Sequence, residues 1–199
     1  TNVENLAKTD PLKFKITATE EMTVVLEPRW GVVVNADIDY NEEIKAGMAS
    51  FRGVDRRFDF KIKTDKVVYL SDYAHHPEEI KQSILSMRAL YEDKKLTGVF
   101  QPHLYTRTRD FYQEFADSLS LLDEVILTDI YPARELPIKG ISSELIYENL
   151  RLGIEKTLCK KEEVLDILKS KEIEVLITLG AGDIENYAPQ ICEILKEQC

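Results

Sequence analysis

Two apolar periods alternate along most of this chain. Short continuous apolar runs occur at VVYL (residues 67–70), TGVF (97–100), EVILTDI (124–130) and EVLITL (174–179), with a shorter candidate at 156–159. Between them, apolar residues return every third or fourth position. Ile80, Ile84, Leu85, Met87, Leu90 and Tyr91 follow Pro77, which fits a first helical turn. Phe111, Phe115, Leu119 and Leu122 mark a helix over 109–122. Further helices are expected from Ser142 or Ser143 to Leu150, over 161–169 and over 184–196. Strands buried on both faces read as continuous apolar runs, and the intervening helices must cover those faces. The expected fold class is therefore α/β, a mostly parallel sheet with helices on both faces.

The first 40 residues carry a different signal. Residues 12–18, 22–26 and 30–34 read as strands with no helical period between them, and a short helix from Asn41 would carry Ile44, Met48 and Phe51. Residues 1–40 are thus expected to form a short β-rich segment ahead of a domain over 41–199. The sequence holds neither an internal repeat nor a low-complexity linker.

In a parallel sheet, ligands bind beyond the carboxyl ends of the strands. Polar clusters at 72–76, 101–109, 129–134 and 180–183 fall at those ends. In DYAHHP, Asp72, His75 and His76 lead from a strand into a helix. As a site this is an exposed carboxylate and two imidazoles at one rim; as structure it is a helix-capping aspartate beside two surface histidines. QPHLYTRTR (101–109) brings His103, Arg107 and Arg109 to a strand-to-helix loop. Arginine pairs bidentately with planar anions, and a helix start favours them. The alternative is a solvated loop with Thr108 as N-cap. All three histidines of the chain lie in these two clusters, which favours function over decoration. FRGVDRRF (51–58) holds three arginines that either present positive charge or are neutralised by Asp55 and Asp59. GAGD (180–183) can approach a phosphate or a neighbouring backbone closely.

Composition narrows the choice. At 44% hydrophobic and 31% charged residues, the chain is of ordinary soluble, globular type. No apolar run approaches the roughly 18 residues of a membrane span, and the first ten residues lack the basic start and apolar core of a signal peptide. A net charge of -10 counts against a nucleic-acid partner but leaves an anionic small ligand open. Cys159, Cys192 and Cys199 have no metal-ligand spacing, so free thiols, no metal site and a cytoplasmic location are expected. The phosphate-binding pattern GxxxxGK[ST] is absent.

Five motifs carry a resemblance. FRGVDRRFDF (51–60), SDYAHHPEEI (71–80), FQPHLYTRTRDF (100–111), LTDIYPARE (127–135) and TLGAGDI (178–184) follow one another in the order and spacing of the Mur ligases. The chain resembles their C-terminal domain over about residues 41–195, and the FQPH-x-YTRTRDF stretch is most similar to the members that join L-alanine to UDP-N-acetylmuramate. The resemblance implies a Rossmann-like amino-acid-binding domain. The enzyme it belongs to uses ATP and Mg2+ to make an acyl phosphate, which the amine then attacks. It implies substrates UDP-N-acetylmuramate and L-alanine, with ATP contacts at Arg57 and Asp72. Tyr73, His75, His103 and Arg107 would line the side where alanine meets the muramoyl carboxylate, the last three in catalytic positions. Leu104 stands where some relatives have arginine, and Ser71 where some have a second aspartate. Nothing in residues 1–40 matches the family's UDP-sugar or phosphate-loop domains, although residues 31–39 loosely resemble a central-domain strand. This polypeptide alone is therefore expected not to catalyse ligation. A murein-recycling tripeptide ligase and a non-catalytic Rossmann-like binding module remain as alternatives.

Overall fold

The computed structural model describes residues 56–198 and, before them, the backbone of four strands. These are β1 (Asn2–Asn5), β2 (Leu12–Thr17), β3 (Glu21–Glu27) and β4 (Val32–Asn35), an antiparallel sheet in chain order. Three of the four were expected; β1 was not. The expected helix from Asn41 and the boundary near residue 41 lie outside the described residues. The chain divides into two compact units, Thr1–Phe58 and Asp59–Cys199.

The second unit is built on six strands. They are β5 (Asp59–Lys63), β6 (Val68–Asp72), β7 (Leu96–Phe100), β8 (Glu124–Leu127), β9 (Glu155–Leu158) and β10 (Val175–Leu179), in the order β5-β6-β10-β7-β8-β9. All pair in parallel except β5, which lies antiparallel on the edge beside β6. The α/β reading holds. β5 was missed because DFKIK alternates charged with apolar residues, as an edge strand with one buried face does. Asp59, considered above as a partner for the arginines of 51–58, is ion-paired within this strand to Lys61.

Five α-helices join the strands: α1 (Pro77–Leu90), α2 (Tyr105–Leu119), α3 (Glu144–Asn149), α4 (Val164–Lys169) and α5 (Ala188–Lys196). On one face of the sheet Tyr69, Val99, Ile126 and Leu176 pack with Val164, Leu168, Ile191 and Leu195 of α4 and α5. The next residue along each strand points to the other face. There Phe100 meets Phe115 of α2 at a ring distance of 5.3 Å, so helices cover both sides. Every residue of β6, β7, β8 and β10 is buried. Among the described residues no helix is long and apolar enough to cross a membrane.

Two boundaries differ from expectation in ways that matter for the site. β8 ends at Leu127 rather than at residue 130, although the Thr128 N–H still donates to the Phe100 carbonyl at 3.0 Å. α2 begins at Tyr105 rather than at residue 109. Its first turn is polar, so the apolar period became visible only at Phe111. Phe111 itself departs from helical geometry (φ -130°, ψ 17°), which kinks the helix there.

The amino-terminal ends of the strands hold a buried charge cluster. The Glu124 side chain is 3% exposed and accepts from Lys95 Nζ at 3.0 Å and Lys171 Nζ at 2.5 Å; the Thr97 hydroxyl donates to it at 3.2 Å. Burial pushes its carboxyl up, but the two lysines outweigh burial and hold it below the usual glutamate range. A depressed carboxyl contributes stability that is complete above the unfolded-state value and is lost as pH falls through the folded one. Glu124→Gln should therefore cost about 1–3 kcal/mol at pH 7, discounted because both lysines are partly exposed. Urea midpoints at pH 7 and pH 3 check this: the gap between variant and parent must narrow in acid.

Cys159 and Cys192 are free thiols. Burial raises both, Cys159 to about 11, so neither supplies a thiolate near neutral pH.

Candidate functional site

The carboxyl ends of β6, β10 and β7 lie level, since Leu179 pairs with both Asp72 and Phe100. The segments that follow these strands converge. Beyond β6, the chain turns through Tyr73–His76 into α1. Asp72 is not the exposed rim carboxylate of the sequence reading: it is 4% exposed. One of its oxygens accepts from the Ala74 N–H at 3.1 Å and the other from the Ser83 hydroxyl at 2.5 Å. As the last residue of a buried strand it would be costly to leave without such partners, and α1 supplies one of them. Its carboxylate fixes the turn that presents His75.

His75 is half-buried. Its Nδ1 lies 2.9 Å from the Tyr73 carbonyl, which can only accept, so Nδ1 carries the proton and Nε2 is left for a ligand. The Tyr73 ring meets the His75 imidazole edge-on at 5.5 Å. Glu79 accepts from the backbone N–H groups of His75 and His76 at 3.1 and 3.3 Å, closing the start of α1. His76 turns the other way and meets Phe111 at 5.1 Å. Those two line a separate groove of about 470 Å3 between α1 and α2, which none of Tyr73, His75, His103 or Arg107 lines.

Beyond β7, Gln101 is buried and structural: its amide donates to Asp183 at 2.8 Å and accepts from the Ile184 N–H at 3.0 Å. His103 follows, with its ring 6.1 Å from that of His75. Arg107 stands one turn later on α2, and its Nη1 lies 3.2 Å from His103 Nδ1. Because a guanidinium only donates, His103 Nδ1 must accept and its proton sits on Nε2. Burial first, then the charge of Arg107 and the nearby His75, lower the His103 imidazole below its ordinary range, with Glu135 opposing. His103 is thus a neutral imidazole with an N–H donor near pH 7. Arg109 does not join them; it is exposed and paired with Asp110 at 2.7 Å. Thr108 is not an N-cap either, since it is buried within α2 and donates to the Leu104 carbonyl at 3.0 Å.

Two contributors lie in the 127–135 motif after β8 but were not singled out there as site residues, Tyr131 and Glu135. Tyr131 stacks on His103 at a ring distance of 5.7 Å. Its backbone brackets the same residue, donating to the Pro102 carbonyl at 2.8 Å and accepting from the Leu104 N–H at 2.9 Å. Glu135 accepts from the Thr106 N–H at 3.0 Å and from the Thr106 hydroxyl. That second contact corrects the helix-start reading: an internal carboxylate already sits at the N-terminus of α2. The GAGD turn likewise serves packing. A Cβ on Gly182 would meet Gln101 Oε1 at 2.2 Å and Tyr131 Cβ at 2.8 Å, so this turn backs the Tyr131 segment. Asp183 is held by Lys161 and Gln101; burial alone would raise its carboxyl, but these partners keep it low.

The site brings an arginine, a neutral imidazole donor and a second imidazole to one sheet edge. Such a set can orient a carboxylate and handle a proton. The family described as Mur ligase, glutamate ligase domain, matches residues 56–184. The chain belongs to this family.

The Mur ligase relatives extend well beyond it. A UDP-N-acetylmuramate–L-alanine ligase of Phocaeicola vulgatus is 80% identical over 158 residues, covering 79% of this chain and 34% of the relative. One of Parabacteroides distasonis is 57% identical over 157 residues, again 79% of this chain and 34% of the relative. Among solved structures, the UDP-N-acetylmuramate-alanine ligase of Thermotoga maritima aligns with a TM-score of 0.64 at 27% identity, covering 80% of this chain and 34% of that one. The chain thus spans about a third of the length of the relatives it matches. A murein peptide ligase of Psychrobacter arcticus aligns at 14% identity with a TM-score of 0.60, a likeness of fold alone.

Proposed function

We propose that this Mur ligase domain holds L-alanine for ligation to UDP-N-acetylmuramate in an ATP-dependent, cytoplasmic enzyme of peptidoglycan synthesis. The observation that carries the reading is the Arg107–His103 pair facing His75 at the sheet edge. The names of relatives at 80% and 57% identity support it over the tripeptide-ligase alternative. A binding module without catalysis would have no need of two imidazoles beside an arginine.

In this proposal a muramoyl carboxylate oxygen attacks the terminal phosphorus of ATP and ADP leaves. The alanine nitrogen then attacks the acyl carbon, the carbon–oxygen bond to phosphate breaks, and phosphate departs. Arg107 binds the alanine carboxylate as a two-pronged donor. His75 Nε2 accepts a proton from the ammonium, without which nitrogen has no lone pair for attack. His103 Nε2–H donates to the oxygen that gains charge in the tetrahedral intermediate. Tyr73 orients His75. Arg57 remains a proposed ATP contact, while Asp72 acts on the ATP side through the turn it orders. Among the described residues no group of three His, Cys, Asp or Glu side chains is arranged to hold a metal. In this proposal the phosphate-binding domain of the full enzyme would hold magnesium, and no step here runs through it.

The test is a joined ligase: the Phocaeicola vulgatus enzyme with its matching region replaced by that of this chain. ATP- and UDP-N-acetylmuramate-dependent ligation of L-alanine is expected from the joined enzyme and none from the 199-residue chain alone. A correctly folded joined enzyme that ligates no alanine would refute the assignment.

A further inference from the structure

α2 starts without any of the usual devices. Its N-cap residue is Leu104, whose side chain cannot accept a hydrogen bond, and no acidic residue stands in its first turn. Leu104 also adopts φ 75° and ψ 134°, a sparsely populated backbone region for a leucine. Such a start would fray unless held from outside, and Arg107 sits in its first turn.

The holding group comes from 31 positions further along. The chain leaves β8 and places Tyr131 against His103. It then turns tightly, with the Glu135 N–H donating to the Pro132 carbonyl at 2.9 Å and Ala133 at φ 50°. This turn delivers the Glu135 carboxylate to the second residue of α2, where it accepts from both the N–H and the hydroxyl of Thr106. Residues 131–135 therefore grip the site at both ends, His103 through Tyr131 and the helix start through Glu135. Arg107 is the next residue after Thr106, and its bond to His103 spans the two grips.

From this geometry we infer that Glu135 is a positioning residue for amino-acid binding: it caps α2 from outside and so sets the angle at which Arg107 meets His103 and the incoming carboxylate. The inference rests on the proposed ligase reading for its ligand, but its structural part stands on this chain alone. Glu135 needs no contact with the reacting atoms. Its effect is expected in the affinity for the amino acid and not in the chemical step.

Two readouts test it. In the joined ligase, Glu135→Ala should raise the KM for L-alanine about 3- to 10-fold, leaving kcat and the KM values for ATP and UDP-N-acetylmuramate within about twofold. Glu135→Gln keeps an acceptor for the Thr106 N–H and should recover most of the loss. In the isolated chain, imidazole nitrogen shifts by NMR should show His103 protonated at Nε2. Glu135→Ala should move it to a mixture of tautomers as Arg107 swings away, and Glu135→Gln should not. Unchanged alanine KM and an unchanged His103 tautomer in a folded Glu135→Ala variant would overturn the inference. So would an equal fall in every kinetic constant together with Tm, which would mark Glu135 as merely structural. If the joined ligase with Glu135 intact fails to use alanine, the functional reading falls while the tautomer measurement still decides the role of Glu135.

Discussion

Replacing Arg107 with alanine is expected to raise the KM for L-alanine in the joined ligase about 10- to 100-fold. A hydrogen bond between a charged donor and a carboxylate contributes about 1.5–3 kcal/mol, and each 1.4 kcal/mol is tenfold in affinity. Arg107→Lys keeps the charge but loses the planar fork, so it should fall between parent and alanine variant. The same substitution acts on His103. Arg107 donates to Nδ1 and its charge helps depress the imidazole. Without it, burial and His75 still lower His103, but by less, so its titration moves towards higher pH. Any limb of the pH–rate profile that reports protonation of His103 should shift up with it. An alanine variant with unchanged KM and an unshifted profile would remove Arg107 from the site.

Gly180→Ala should produce a large loss of stability from a single methyl group. Gly180 has φ 141°, a region nearly closed to residues with a Cβ, and an added Cβ would stand 2.7 Å from the backbone carbonyl of Gln101. Backbone strain of this kind costs about 1–3 kcal/mol, and forcing apart a packed contact about as much again. A total of about 2–6 kcal/mol lowers Tm by roughly 4–24 °C at this chain length. Gln101 cannot yield easily, because its N–H is bonded to Leu179 and its amide to Asp183 and Ile184. A folded Gly180→Ala chain that melts within a degree of the parent would show that the turn adapts. Gly98→Ala is a useful contrast. Its Cβ would meet the Leu122 side chain at 2.4 Å, a neighbour that can change rotamer, and the loss should be smaller.

These two sites show how differently a sequence signals its parts. The parallel core was legible because burial on both faces demands apolar runs, and VVYL, TGVF, EVIL and EVLITL all became central strands. His75, His103 and Arg107 were legible because their strand-end positions predicted one shared edge, and the level ends of β6, β7 and β10 bring them together. Arg109 was in the same short motif, but helical periodicity turns it outward, a distinction that depended on α2 starting at Tyr105.

Composition and order along the chain thus determined the α/β class, the face each strand buries and the edge where charged side chains gather, since these follow from local periodicity and strand direction. Only the tertiary structure decided which groups hold which. Asp72 turned inward because a buried strand end needs partners that α1 happened to bring, and GAGD proved a packing turn because Gln101 and Tyr131 lie against it. Glu135 reached Thr106 across 29 positions, and in hindsight a helix opening on leucine, with no acid in its first turn, did announce a missing acceptor. Sequence can show that such a group is required; which residue supplies it depends on contacts between segments far apart in the chain, and those exist only once the sheet has formed.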